Sequence, residues 1–397
     1  MTHPQVALGE IATLIRGITY KPSDVCEATT LSAVACMRTK NVQENLDESD
    51  IVWIPASIIR NSSKYLNPGD ILVSSANSWN LVGKGCWVPE LKYPASAGGF
   101  ISILRGNPNA VDLRYLYHWF VSPQTQAKLR SYSNKTTNIS NLDHSRTLAT
   151  EIPLPPLEEQ RRIAAILDKA YHVKELGKQR DLQFNQLELG LFIELFGNPI
   201  TNALDWPTVN IGRIARVKTG NTPPRAQHEY YGDEVEWIKS DNLNNNSYYA
   251  TKAAVCLSAL GGSLARIAPR DAILVTCIAG SPACIGNCAM VDRAVAFNQQ
   301  INSLEDIDGN PHFFYAMLRL FKGIVQAAST NSMKGMVSKS KFESICFINP
   351  PRELQDLFAA KMEIVRLLQC QANELPTRAD TLIQGLHKRL FMGSQVP

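Results

Sequence analysis

The sequence predicts an α+β fold: two mixed α/β domains separated by two long helices, which pair as an antiparallel intramolecular coiled coil and make the chain a pseudo-twofold repeat. Three observations predict it. A proline-rich run, Ile152-Pro153-Leu154-Pro155-Pro156-Leu157-Glu158-Glu159-Gln160, opens a stretch that continues without another proline to Pro199. The run returns as Phe347-Ile348-Asn349-Pro350-Pro351-Arg352-Glu353-Leu354-Gln355, so that Pro155, Pro156, Glu158 and Gln160 are matched by Pro350, Pro351, Glu353 and Gln355, each 195 residues later. The two segments that precede these runs also resemble each other, weakly but in the same order.

The run at Pro155 and Pro156 reads as an extended lead-in or first helical turn, and Glu158 and Glu159 suit the positive end of a helix dipole. Beyond it, Ile163, Ile166, Ala170, Val173, Gly177, Phe184, Leu187 and Leu191 recur mostly three and four apart, a coiled-coil stripe broken by Arg180. About forty residues at ~1.5 Å each make a rod of roughly 60 Å, which needs a partner along its length. The second stripe supplies one: Leu354, Phe358, Met362, Val365, Leu368, Ala372, Leu375, Ala379, Leu382 and Leu386. Pro376 lies inside it and predicts a kink or break.

The domains follow by exclusion: 1–152 and 198–347 are mixed domains, 153–197 and 348–392 the helices, and 393–397 a tail. Val6-Ala7-Leu8-Gly9-Glu10-Ile11-Ala12 is matched by Val209-Asn210-Ile211-Gly212-Arg213-Ile214-Ala215, and Gly17 by Gly220 at the same offset of 203. Pro68-Gly69-Asp70 and Pro269-Arg270-Asp271 each turn into an apolar strand. Cys86 and Cys288 fall in comparable glycine-flanked strands, and 113–129 and 311–327 have helical periodicity. Each domain closes with a polar loop carrying a lysine, 131–138 and 329–336.

With 397 residues, 45% hydrophobic and 19% charged, the chain is long enough for two or three domains with proper cores and is not of disordered composition. A net charge of +4 permits nucleic-acid binding without requiring it. No secretory leader or long apolar run is present, so no membrane association is expected and a cytoplasmic location is. The nine cysteines lack zinc-site spacing and are expected to be free, buried thiols.

Together, the Pro-Leu-Pro-Pro-Leu-Glu-Glu-Gln-Arg-Arg-Ile run from Pro153, its echo at Pro350, and Lys218-Thr219-Gly220-Asn221-Thr222-Pro223-Pro224 followed by Trp237-Ile238-Lys239-Ser240-Asp241-Asn242-Leu243 make the chain similar to the specificity subunit of type I restriction-modification systems. The resemblance spans essentially the whole chain. It implies a non-catalytic subunit whose two target recognition domains each read one half of a bipartite site in double-stranded DNA, while the helices set the spacing. It further implies docking of methyltransferase subunits, two of them, and of restriction subunits; methylation, ATP hydrolysis and cleavage would reside in those partners, and no cofactor or metal is expected here. Two readers on one face of B-DNA must lie near a multiple of a helical turn apart, about 34 Å per turn.

Candidate DNA-binding residues in the second domain are Thr222, Arg225, Lys239, Ser240 and Asn242, in polar loops beside short apolar strands, with Lys334 and Lys339 for phosphates. The corresponding places in the first domain hold Tyr20, Lys21, Arg38, Thr39, Lys40 and Asn41, with Lys135 and Asn138 in the closing loop. Asn and Arg can read base edges in two-point fashion, whereas Lys more often neutralises phosphate. Pro155, Pro156, Gln160, Pro350, Pro351 and Gln355 are assigned to the helix starts.

Asn349-Pro350-Pro351-Arg352 superficially matches an amino-methyltransferase motif, but an arginine replaces the stacking aromatic and no glycine-rich turn for a methyl donor is found. Val82-Gly83-Lys84-Gly85 and 259–263 lack phosphate-loop spacing, and His118, His144, His228 and His312 form no catalytic pair with a carboxylate or thiol. The alternative reading is a non-catalytic structural adaptor that binds protein partners through the duplicated domains. A third, an enzyme fragment with hidden catalysis, has no catalytic constellation to support it.

Overall fold

A computed structural model describes residues 3–135, 139–244, 247–330, 335–372 and 374–391. It divides into two compact units, Met1–Lys178 with Asn373–Pro397, and Gln179–Ala372. Each unit contains one mixed domain and half of each helical stripe.

In the first unit the central sheet is antiparallel, in the order Ala12–Arg16, Ile101–Gly106, Ile71–Ser74, Gly85–Trp87. Ile71, Leu72 and Val73 are all fully buried, as an inner strand covered on both faces requires. A second sheet pairs Ala33–Met37 antiparallel with Val52–Pro55 and parallel with Ala95–Ala97. The domain closes where Gln5–Ala7 pairs with Glu151–Pro153.

The second unit repeats this plan. Its central sheet runs Arg216–Thr219, Ile301–Glu305, Ile273–Thr276, Cys288–Met290, again antiparallel, so Cys86 and Cys288 lie in equivalent edge strands. Val235–Ile238 pairs in parallel with Val295–Phe297, and Thr208–Asn210 closes on Cys346–Ile348. The periodic segments 113–129 and 311–327 are each two helices rather than one: Leu113–Val121 and Pro123–Ser131, then Pro311–Leu320 and Gly323–Ala327. In the first repeat Pro123 disfavours a helical Ser122, which caps the following helix instead. The nine cysteines are free thiols, but only Cys36, Cys86, Cys277 and Cys288 are buried, whereas Cys346 and Cys370 are exposed.

The long helix is Leu157–Phe196, 40 residues, and it stops at Gly197, whose φ of 69° lets its N–H return to the Ile193 carbonyl at 2.8 Å. The glutamine three residues into each helix explains the repeated prolines. Buried Gln160 accepts at Oε1 from the Asp112 N–H at 2.8 Å and donates from Nε2 to the Pro155 carbonyl at 2.7 Å. Gln355 does the same with the Asn310 N–H at 2.9 Å and the Pro350 carbonyl at 2.8 Å. Asp112 and Asn310 are the N-caps of Leu113–Val121 and Pro311–Leu320, so one amide ties each domain helix to the start of a long one.

In the first unit Ile163, Ala164 and Leu167 of the long helix pack into the core with Tyr115, Trp119 and Phe120, and Leu386 and Phe391 lie against the same cluster. In the second unit Phe192 and Phe196 pack among Phe313 and Phe358, with the Phe192 centroid 5.7 Å and 5.5 Å from theirs. Burying each ring is worth roughly 1.5–3 kcal/mol. Within the first unit Tyr171 meets His387 and Lys174 meets Asp380 at 3.0 Å, and within the second Arg180 meets Ala372 and Phe192 meets Phe358, so in each the partner number falls as the helix advances and the pairing is antiparallel.

One expectation about the helical stripes changes. Leu187, Leu368 and Leu382, assigned to the stripes, are 46%, 49% and 48% exposed, whereas Leu167, Phe192 and Phe196 are buried. The mixed domains cover a second face of each helix, and a 3.6-residue turn drifts off a strict heptad. As Pro376 predicts, the second stripe is broken into two helices, Arg352–Ala372 and Glu374–Phe391, and Pro376 sits in the first turn of the latter, where its missing N–H costs that helix no hydrogen bond of its own.

Candidate nucleic-acid interface

In each unit several of the candidate residues lie around one turn. In the first unit the chain leaves Ala12–Arg16 through Gly17, whose N–H donates to the Ile101 carbonyl at 2.9 Å, while the Ile18 N–H reaches the Ala97 carbonyl at 2.7 Å. In the second, Gly220 donates to Ile301 at 3.0 Å and Asn221 to Phe297 at 3.1 Å. A Cβ at Gly17 would lie 2.1 Å from the Gly98 carbonyl oxygen, and one at Gly220 would lie 2.3 Å from that of Asn298. Glycine is required at both places because two backbones touch there.

Opposite lies a single helical turn with the same wiring in both units. The Arg38 N–H donates to Asn41 Oδ1 at 2.7 Å, and the Lys239 N–H to Asn242 Oδ1 at 3.0 Å. Asn41 is wholly buried and also donates to the Asp47 and Asp50 carbonyls at 2.7 and 3.0 Å. Asn242 donates to Thr251 Oγ1 at 3.1 Å and to the Lys252 carbonyl at 3.0 Å. Both were candidates for reading bases. Their amides instead hold the loop, because a buried loop carbonyl left without a donor is costly.

Arg38 and Lys40 both pair with Asp50, Arg38 at 2.9 Å. Tyr20, Arg38 and Thr39 line, with Ile18, Gly98 and Phe100, a cavity of about 430 Å³, and burial raises the Tyr20 hydroxyl above its usual pKa. Lys21, between the lining residues Tyr20 and Pro22, is exposed. In the second unit Lys239 Nζ stands 4.9 Å from the Trp237 ring centroid, and Ser240 contacts Gln300 Oε1 at 3.4 Å. The Thr222 hydroxyl donates to Gln299 Oε1, and Arg225 is exposed. Lys339 begins the short helix Lys339–Glu343 and pairs with Glu343 at 3.5 Å, apart from these contacts. Lys135 lies in the strand Asn134–Lys135, its side chain outside the described residues, as are Asn138 and Lys334.

The sequence did not single out Phe100, Gln299 and Gln300, which follow the glycine contact in both units. Phe100 is 65% exposed, Gln299 is exposed and Gln300 half-buried. The signal that leads to them is the Gly17 and Gly220 match, since whatever those glycines touch occupies the same position in each repeat.

The family model for "Type I restriction modification DNA specificity domain" matches residues 5–186 and again 203–373. The chain belongs to that family. The doubled match falls on the two repeats described above, and the specificity family accounts for both mixed domains and for the helices between them. The EcoKI specificity subunit of Escherichia coli (strain K12) is 30% identical over 185 residues, 45% of this chain and 38% of that one. The StySPI subunit of Salmonella potsdam is 30% identical over 217 residues, 51% and 46% respectively. The chain thus spans less than half the length of these two relatives in the matched region. The S subunit of the type I system from M. genitalium has the same fold, with a TM-score of 0.56 over 98% of this chain and 96% of that one at 13% identity. Among the described residues, no helix is long and apolar enough to cross a membrane.

Proposed function

We propose that this member of the specificity family is the sequence-reading subunit of a type I restriction-modification complex, each mixed domain reading one half of a bipartite site in double-stranded DNA. The paired helices set the gap between the halves and dock methyltransferase subunits, and restriction subunits join that assembly. The chain itself is non-catalytic; methylation, ATP hydrolysis and cleavage belong to the partners, and the assembly works in the cytoplasm. The domains 1–152 and 198–347 act as the readers, and 153–197 and 348–392 as the spacer.

The observation that carries this reading is the duplicated site: a glycine-packed turn facing an Arg/Lys-x-x-Asn turn, once in each repeat. Two copies of one polar surface suit a split target, where each domain needs the same approach to a groove but different base contacts. Tyr20, Lys21, Arg38, Thr39, Lys40, Lys135 and Asn138 serve the first half-site, and Thr222, Arg225, Lys239, Ser240, Lys334 and Lys339 the second.

The test is to express the chain with its methyltransferase subunit and map methylated adenines across a host genome. A split motif with a fixed gap is expected. A folded, assembled complex that marks no motif would overturn the reading in favour of a protein-binding adaptor. In the same complex Arg225→Ala and Lys239→Ala should each weaken binding and lower the salt slope by about one.

A further inference from the structure

The same turn carries opposite chemistry in the two repeats. In the first it reads Gly98-Gly99-Phe100 and in the second Asn298-Gln299-Gln300, in equivalent hydrogen-bonded frames: Ile101 N–H to Gly98 carbonyl at 2.9 Å, and Ile301 N–H to Asn298 carbonyl at 3.1 Å. The two glycines in the first turn are not required by backbone conformation, and a Cβ there would be tight without overlapping another backbone. Neither has positive φ, and a Cβ would come no nearer than 3.3 Å to Met37 O at Gly98 and 3.3 Å to Thr19 Oγ1 at Gly99. Their effect is to omit side chains where the second repeat has two amides, which leaves room for the cavity of about 430 Å³ walled by Ile18, Tyr20 and Phe100.

We propose that this turn selects the base chemistry of each half-site: in the first domain Phe100 and the cup beside it take the 5-methyl edge of a thymine, and in the second Gln299 reads an adenine edge. This rests on the DNA-reading function proposed above. Thymine is the one base that offers an apolar group in the major groove, and Phe is among the side chains that contact it. A ring 65% exposed beside an apolar cup that Arg38 also lines combines an apolar contact with a cation able to meet a flanking phosphate. In the second domain the Thr222 hydroxyl donates to Gln299 Oε1 and so orients the amide. The amide keeps a second lone pair on Oε1 and two protons on Nε2, the acceptor and donor that match adenine N6–H and N7.

The test uses the chain assembled with its methyltransferase subunit. Motif mapping and duplex competition are run for the wild type, Phe100→Ala and Gln299→Ala, with each half-site thymine replaced in turn by uracil. Both residues are exposed, and a melting curve checks folding. The expected result is a roughly ten-fold loss when one thymine in one half becomes uracil, abolished in Phe100→Ala, with Gln299→Ala relaxing one adenine position in the other half. If the wild type marks a split motif but uracil has no effect, or if both variants keep that motif unchanged, the base assignment is overturned while the DNA-reading function stands. A Phe100→Ala change that falls at a guanine or cytosine overturns the thymine assignment alone. A wild type that marks nothing would count against the function itself.

Discussion

The Arg180 guanidinium donates to the backbone carbonyl of Ala372, the last residue of the helix Arg352–Ala372. Four residues beyond Ala372 stands Pro376, which has no N–H to give that carbonyl. The two interruptions of the helical stripes are therefore complementary: the cation in one supplies the donor that the proline in the other withholds.

Arg180→Ala should lower stability by about 1–3 kcal/mol, since a carbonyl loses a charged donor. With Pro376→Ala as well, the second helix can run on and satisfy Ala372 itself, so the double variant should recover much of the loss. Denaturant melts of the two single variants and the double variant measure the coupling, and simple additivity would sink the idea.

Gln160→Ala and Gln355→Ala should each cost about 2–4 kcal/mol, because two backbone groups lose their partner at a buried site. Gln160→Glu should be nearly as harmful at neutral pH, since a carboxylate cannot donate to the Pro155 carbonyl. Hydrogen exchange should show the loss of protection first at Asp112 for Gln160→Ala and at Asn310 for Gln355→Ala. Uniform loss across the chain would argue against a local tie.

The first unit should be acid-sensitive. His387 is 1% exposed among Tyr171 and Phe391, and burial, aided by the His118 charge, lowers its pKa to about 4. A histidine whose folded pKa lies below its unfolded value of about 6.5 leaves the protein at full stability above that pH and draws stability away as pH falls towards 4, by roughly 3 kcal/mol at most. His118, also lowered by burial although its ring sits 2.7 Å from Asp168, acts in the same direction. Melting of the wild type between pH 8 and 4 should therefore be steeper than that of His387→Leu. Parallel curves would remove His387 from the account.

Much of the fold was legible because prolines, glycines and periodicity speak locally. The lead-in at Pro155 and Pro350 and the Gly17 and Gly220 match each have a backbone reason that a sequence displays. Burial on the helices was less legible: Leu187 and Phe192 differ by less than one and a half turns, yet which is covered depends on a domain helix more than a hundred residues away. The task of Asn41 and Asn242 is not legible in the sequence, since an amide can bond a base edge or its own loop equally well, and only the structure shows theirs bonded within the loop. Phe100 and Gln299 were invisible because Gly-Gly-Phe and Asn-Gln-Gln share no residue, and only the hydrogen bonds around them make the turns equivalent.

Each mixed domain begins and ends on its own two-stranded ladder, Gln5–Ala7 with Glu151–Pro153 and Thr208–Asn210 with Cys346–Ile348. A genetic crossover inside the long helix would hand over such a domain whole, with no strand left without its mate. What the recombinant must still match is the helical seam, where Lys174 has to find Asp380, and the contact between Tyr115 of the domain helix Leu113–Val121 and Phe391. Inheritance can thus exchange a mixed domain with its own strands paired, while the seam and the Tyr115 contact stay under constraint.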